Sequence, residues 1–143
     1  MSEAFLGQVT VRPVTSALPE ELKALYKDAA WWDPSYDRDP GFLNHLAKTS
    51  AVFVGAFYKK KMIGMGRALS DLVSDAYIQD VTVLKEYRGK GIGKIIIQTL
   101  VEELKKKGVD WIGLVAEPGT SAFYKELGFD VLKDHIPLKY KDL

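Results

Sequence analysis

The stretch Arg88-Gly89-Lys90-Gly91-Ile92-Gly93 puts three glycines and two cations directly after a β-branched run and at the start of a helical pattern. Such a turn leaves backbone N–H groups unpaired at a helix N-terminus. Those donors and the positive end of the helix dipole favour a phosphate or pyrophosphate. Glycines let the backbone approach the ligand with no Cβ in the way. Arg88 and Lys90 add charge at the same place, followed by Lys94. A nucleotide P-loop would need glycine at position 88 and Ser or Thr after Lys94, and has neither. A dinucleotide fingerprint starting at Gly89 would need glycine or alanine at position 94, which is lysine. The pattern that remains is Arg-x-x-Gly-x-Gly.

A second candidate is Asp80, which interrupts Tyr77-Ile78-Gln79-Asp80-Val81-Thr82-Val83. Aspartate is disfavoured inside strands, and a buried carboxylate is costly unless paired or hydrogen-bonded. It is therefore either a structural aspartate bonded to its neighbours or a group with chemistry to do.

The elements that must position these residues can be read from periodicity. Gln8 to Val14 reads as a strand, Pro19 to Ala30 as a helix, and Pro40 to Lys48 as a second short helix with Phe42, Leu43 and Leu46 inward. Ala51 to Tyr58 and Met62 to Leu69 read as a hairpin around Lys59-Lys60-Lys61, and Ala76 to Leu84 as a further strand. After the glycine loop, Ile97, Leu100, Val101 and Leu104 follow helical spacing in a helix that ends near Lys107. Asp110 to Ala116, apolar from Trp111 onward, reads as a central strand. Pro118 to Leu127 reads as a short helix stopped by Gly128, and Val131-Leu132 and Ile136 to Tyr140 as closing strands. The expected fold is α/β (α+β). It is a mixed, mostly antiparallel sheet of six or seven strands with a central parallel β-α-β crossover, flanked by about four helices.

The loop, together with Phe123-Tyr124-Lys125-Glu126-Leu127-Gly128-Phe129, resembles the Gcn5-related N-acetyltransferase family. The resemblance covers most of the chain, most clearly Met62 to Phe129. It implies that acetyl-CoA is the co-substrate. Arg88, Gly89, Lys90, Gly91, Ile92, Gly93 and Lys94 would hold its pyrophosphate, Val81, Thr82 and Val83 would pair with its pantetheine arm, and Lys125 would add a contact. No metal is implied. Tyr124 matches the family's general acid, with packing on the sheet as the bland alternative. Asp80 falls at the reacting end. Trp31, Trp32 and Tyr36 fall in the segment that walls the acceptor, where an aromatic face beside a carboxylate suits an aryl- or alkyl-ammonium. Equally, one tryptophan could be core and the other half-exposed.

The chemistry gives these residues work. An alkylamine, with a pKa of about 10.4, arrives protonated, and only the neutral form attacks a thioester. A carboxylate can bind the ammonium and accept its proton, and a tyrosine hydroxyl can protonate the leaving thiolate. A strand N–H near Val81 is a candidate donor to the developing oxyanion. Among family branches, the stretches Ile63 to Asp71 and Ile78 to Val83 are similar to the arylalkylamine (serotonin-type) and glucosamine-6-phosphate acetyltransferases. Gln79 stands where the amino-sugar branch carries glutamate, and Glu117-Pro118 stands where an asparagine often precedes the last helix. The acceptor expected is a small aryl- or alkylamine. Amino sugars, polyamines and protein amines are alternatives, as is a non-catalytic acyl-CoA-binding module.

Composition bounds these readings. At 143 residues, 47% apolar and 27% charged, the chain fits one ordered domain spanning 1–143. Its 20 basic and 19 acidic residues give a net charge of +1, which argues against a nucleic-acid partner. The absence of cysteine removes disulfides, thiolate metal sites and a cysteine nucleophile. His45 and His135 show no metal spacing. No apolar run reaches the ~20 residues of a membrane helix, and no signal peptide is read. A soluble cytoplasmic protein is the expectation, with a homodimer left open.

Overall fold

The computed structural model describes residues 2–142. Contacts gather into two compact units, Met1–Gly113 and Leu114–Leu143.

The first unit contains α1 (Ser2–Leu6), β1 (Thr10–Pro13), α2 (Pro19–Asp28), two 3-10 segments (Pro34–Arg38 and Pro40–Asn44) and α3 (Leu46–Thr49). There follow β2 (Val52–Tyr58), β3 (Lys61–Leu69), β4 (Asp75–Val83), a 3-10 turn (Lys85–Tyr87), α4 (Ile92–Lys106) and β5 (Trp111–Gly113). The sheet order is β1-β2-β3-β4-β5. It is antiparallel throughout except for β4 and β5, which are parallel and joined through α4.

Alternation along β3 assigns the two faces. A Cβ added at Gly64 or Gly66 would point at Ile96, and at Gly66 also at Leu100, so α4 lies against that face. Ile92, Ile96, Ile97, Leu100 and Leu104 are at most 1% exposed, each burial contributing about 1.5–3 kcal/mol. The next residue along, Arg67, points to the opposite face, where Tyr26 of α2 meets it across Asp80. The chain between β2 and β3 turns on Lys59 (φ 50°) and Lys60 (φ 67°), two left-handed residues in a row, as a two-residue hairpin requires.

Several expectations change. The segment read as one helix over Pro40 to Lys48 divides into the second 3-10 segment and α3, and Phe42 is 41% exposed rather than inward. The buried stripe of α4 uses Ile96 where the sequence suggested Val101. The strand read over Asp110 to Ala116 is only Trp111–Gly113, and it forms an edge of the described sheet with Trp111 47% exposed. Its last pair with β4 is Tyr77↔Gly113, and the bulge in β4 begins three residues further on, at Asp80. Five strands are described, not six or seven.

In the second unit, α5 (Ser121–Glu126) ends before Gly128, which has φ 97°. The closing strands expected at Val131-Leu132 and Ile136 to Tyr140 are not formed among the described residues. Pro137 cannot donate to a ladder, and Asp134 is left-handed at φ 61°.

Candidate functional site

The glycine loop is built as the sequence suggested. Gly89 (φ 75°) and Gly91 (φ 89°) both occupy the left-handed region, and Gly91 is the N-cap of α4. No described side chain caps the helix. The N–H groups of Ile92, Gly93 and Lys94 find no protein acceptor among the described residues. Among the described residues, a Cβ at Gly89 would meet nothing within 4 Å, and one at Gly91 only Leu6, at 3.8 Å. Open space in front of uncapped N–H groups fits a phosphate. Arg88 is partly committed within the protein. Its Nε donates to the Val83 carbonyl at 2.7 Å, and its guanidinium lies 3.6 Å from the Asp28 carboxylate. Asp28 also accepts from the Lys85 N–H at 2.7 Å, so α2 ties down the start of the loop. Phe5 of α1 stacks on Tyr87 (centroids 5.7 Å apart, planes at 7°) and lies 4.8 Å from the Tyr58 ring. Lys90 Nζ is 5.9 Å from the centre of the same Phe5 ring. This aromatic support escaped the sequence reading, because α1 is a five-residue helix.

Asp80 lies at the break in β4. The register runs Met65↔Thr82 and then Arg67↔Gln79, so Asp80 and Val81 together oppose Gly66 alone. This is a β-bulge with Asp80 in the left-handed conformation, φ 56°. Aspartate tolerates that conformation better than most residues. The bulge re-aims the carboxylate toward α2. Its Oδ2 accepts from Arg67 Nε at 2.7 Å and from Tyr26 Oη at 2.8 Å. Arg67 also reaches Ser50 Oγ at 3.5 Å. Among the described residues Oδ1 accepts from no donor. Burial, then the Asp80 charge, pushes the Tyr26 phenol well above its ordinary value, so it stays a donor. Thr82 and Val83 are buried and Val81 half-buried. From Ile78 to Val83 the outer edge of β4 has no described strand partner, since β5 pairs only with Asp75–Tyr77.

Tyr26 and Arg67 were not singled out from the sequence. Arg67 left a trace as the one charged residue inside Met62-Ile63-Gly64-Met65-Gly66-Arg67-Ala68-Leu69. Tyr26 left none beyond its place one turn after Leu22.

The aromatic segment divides. Trp31 lies beside Tyr26 at 5.9 Å between ring centres, one side chain away from Asp80. Trp32 belongs instead to a cluster with Tyr36 (5.4 Å) and Phe42 (6.1 Å). Lys23 lies over the Trp32 ring at 5.1 Å and pairs with Asp37 at 2.8 Å, holding that carboxyl below its usual range. The aromatic-plus-carboxylate setting expected for a substrate ammonium is thus filled at Trp32 by the chain's own lysine.

Within the second unit, the Tyr124 ring packs edge-on against Phe123 (5.0 Å) and Phe129 (5.9 Å). Burial, then the charge of Glu117, raises its phenol pKa, so the hydroxyl stays protonated at neutral pH. Lys125 follows in the last turn of α5.

The acetyltransferase (GNAT) family model matches residues 16–129, and the chain belongs to this family. Among curated relatives, the uncharacterized N-acetyltransferase ycf52 of Pyropia yezoensis is 37% identical over 86 residues, covering 57% of this chain and 49% of the relative. A chloroplastic serotonin N-acetyltransferase of Oryza sativa subsp. japonica is 39% identical over 74 residues, covering 52% and 37%. The matches span about half the length of these relatives or less. A GNAT-family acetyltransferase from Streptococcus pneumoniae shares the fold with a TM-score of 0.74 at 21% identity, covering 92% of this chain and 96% of that one.

Proposed function

We propose that the chain is an acetyl-CoA-dependent N-acetyltransferase acting on a small aryl- or alkylamine, with both substrates bound together. The observation that carries the reading is one continuous piece of chain, Asp80 to Lys94. It combines a bulged carboxylate, an unpaired strand edge and an uncapped helix N-terminus behind two left-handed glycines. The family match runs across both units, which supports a single acetyltransferase domain.

The residues of this segment fit acetyl-CoA. The N–H groups of Ile92, Gly93 and Lys94 suit its pyrophosphate, with Lys90 and Lys94 supplying charge. Gly89 and Gly91 leave room, and Arg88 closes the loop onto Val83. The edge of β4 at Val81 to Val83, which has no described strand partner and whose Val83 carbonyl is taken by Arg88, suits the amide groups of the pantetheine arm. When bound, acetyl-CoA supplies an activated thioester. Asp80 Oδ1, which accepts from no donor among the described residues, holds the acceptor ammonium and takes its proton. By family resemblance Tyr124, kept protonated by burial, is the acid that returns a proton to the departing sulfur. Lys125 adds its contact to acetyl-CoA by family resemblance. An aromatic acceptor is supported by Trp31 next to Tyr26 and by the serotonin-acetylating relative.

The test is a thermal shift with acetyl-CoA, followed by thiol release with arylalkylamines, alkylamines, amino sugars, polyamines and peptides. Stabilisation by acetyl-CoA and release with arylalkylamines are expected. Stabilisation with no release on any amine would turn the reading to a non-catalytic acyl-CoA-binding module.

A further inference from the structure

We infer that Tyr26 is a positioning residue for the acceptor amine, acting through Asp80. The inference rests on the acetyltransferase reading above and concerns the same site.

Asp80 sits on a bulge, where the ladder no longer fixes the strand. Its side chain must be oriented by other groups. Two donors arrive from different elements, and both choose the same atom: Arg67 Nε from β3 at 2.7 Å and Tyr26 Oη from α2 at 2.8 Å, each to Oδ2. A carboxylate so held cannot exchange its two oxygens, and Oδ1 becomes the only atom open to an incoming ammonium. Arg67 alone would not enforce this. A guanidinium can shift from one carboxylate oxygen to bridge both, whereas a second donor on Oδ2 opposes that shift. Tyr26 is well suited to the task. It is 9% exposed, it packs on Trp31, and its hydroxyl stays protonated. The charged and titratable groups facing Asp80 are Arg67 from β3 and Tyr26 from α2.

A packing role makes a different claim, namely that the ring holds α2 to the sheet and the hydroxyl is incidental. The experiment compares wild type with Tyr26→Phe, which removes only the hydroxyl, and Tyr26→Leu, which removes the ring too. Each change is also placed on Asp80→Asn, with steady-state kinetics, acetyl-CoA calorimetry and melting curves. Positioning predicts that Tyr26→Phe alone lowers kcat/KM for the amine by about 10–100-fold, the equivalent of one hydrogen bond to a charged group. Acetyl-CoA affinity should stay within about twofold, because that site is untouched. On Asp80→Asn the same change should add less than about threefold, since residues acting as a unit are not additive. Two results overturn the inference: Tyr26→Phe matching wild type while Tyr26→Leu fails, or a full additional loss in the double variant. Should Tyr26→Leu not fold, the Phe variant and its cycle decide alone. Wild-type protein that releases no thiol with any amine overturns the acetyltransferase reading itself, and this inference with it.

Discussion

Asp80→Asn is the most informative single change, because the left-handed backbone at φ 56° separates it from cruder substitutions. Asparagine accepts that conformation, whereas alanine would add about 1–2 kcal/mol of backbone strain. The amide keeps one acceptor oxygen for Arg67 or Tyr26 but loses the charge. A hydrogen bond to a charged group is worth about 1.5–3 kcal/mol and a neutral one about 0.5–1.5. The pair is partly screened, with Arg67 15% and Asp80 24% exposed, so the loss in stability should be about 1 kcal/mol. For a chain of this size that lowers Tm by about 2–5 °C. If Asp80 takes the proton, activity falls much further, by about 10²-fold or more in kcat/KM for the amine. The deficit should also depend on pH. It is largest where the acceptor is an ammonium and closes as the amine becomes neutral, near pH 10.4 for an alkylamine and near 8 for an α-amino group. The assay is kcat/KM from about pH 6 to 10 with two amines of different pKa. Acetyl-CoA calorimetry and a melting curve are recorded alongside. A deficit of equal size at every pH, with both amines, would return Asp80 to the scaffold.

Three further outcomes follow from the geometry. Gly91→Ala places a methyl group before the α4 N-terminus and strains a residue at φ 89°; acetyl-CoA binding should weaken by at least about tenfold, and an unchanged Kd would remove the pyrophosphate assignment. Tyr124→Phe should lower kcat by about 10²–10⁴-fold and spare acetyl-CoA binding, and a kcat within about twofold of wild type excludes it as the acid. Gly66→Ala would bring a Cβ to 2.8 Å from Ile96 and 3.0 Å from Leu100. That overpacking should cost about 1–3 kcal/mol in chemical denaturation, and a wild-type midpoint would mean α4 can move away freely.

What could be read in advance depended on how local each feature is. The glycine loop needs only adjacent residues, so its place at the α4 N-terminus and the hairpin around Lys59-Lys60-Lys61 are legible, although Lys61 belongs to β3. The partners of Asp80 are not. Tyr26 is 54 residues away and Arg67 is 13, and both meet Asp80 only because a bulge turns its side chain toward α2. The bulge left one mark, an aspartate among β-branched residues, which revealed the anomaly but not its cause. Over-reading had a local origin too. Ile136-Pro137-Leu138-Lys139-Tyr140 alternates like a strand, yet a strand needs a partner, and no described ladder includes these residues. The apolar run from Trp111 suggests a central strand, because burial on both faces produces such runs. Among the described residues only Trp111–Gly113 pair, and the pairing stops three residues before the bulge at Asp80.

The bulge has a further consequence for the sheet. Two residues of β4 face one residue of β3, and that one residue is glycine. Gly66 has no side chain to crowd Val81, whose Cγ2 would lie 3.2 Å from an added Cβ, and none to hold off Ile96 and Leu100. The distortion in β4 and the close seat of α4 on β3 therefore depend on the same missing methyl group. Because α4 begins at the glycine loop, its seat also fixes where the uncapped N–H groups lie relative to Asp80. On this argument Gly66→Ala does more than destabilise. Displacing α4 should weaken acetyl-CoA binding and amine turnover together, whereas Asp80→Asn spares the first and Gly91→Ala acts on it directly. A Gly66→Ala protein with normal acetyl-CoA affinity but lost amine turnover would show that the bulge shifts independently of the helix and that the two are not coupled.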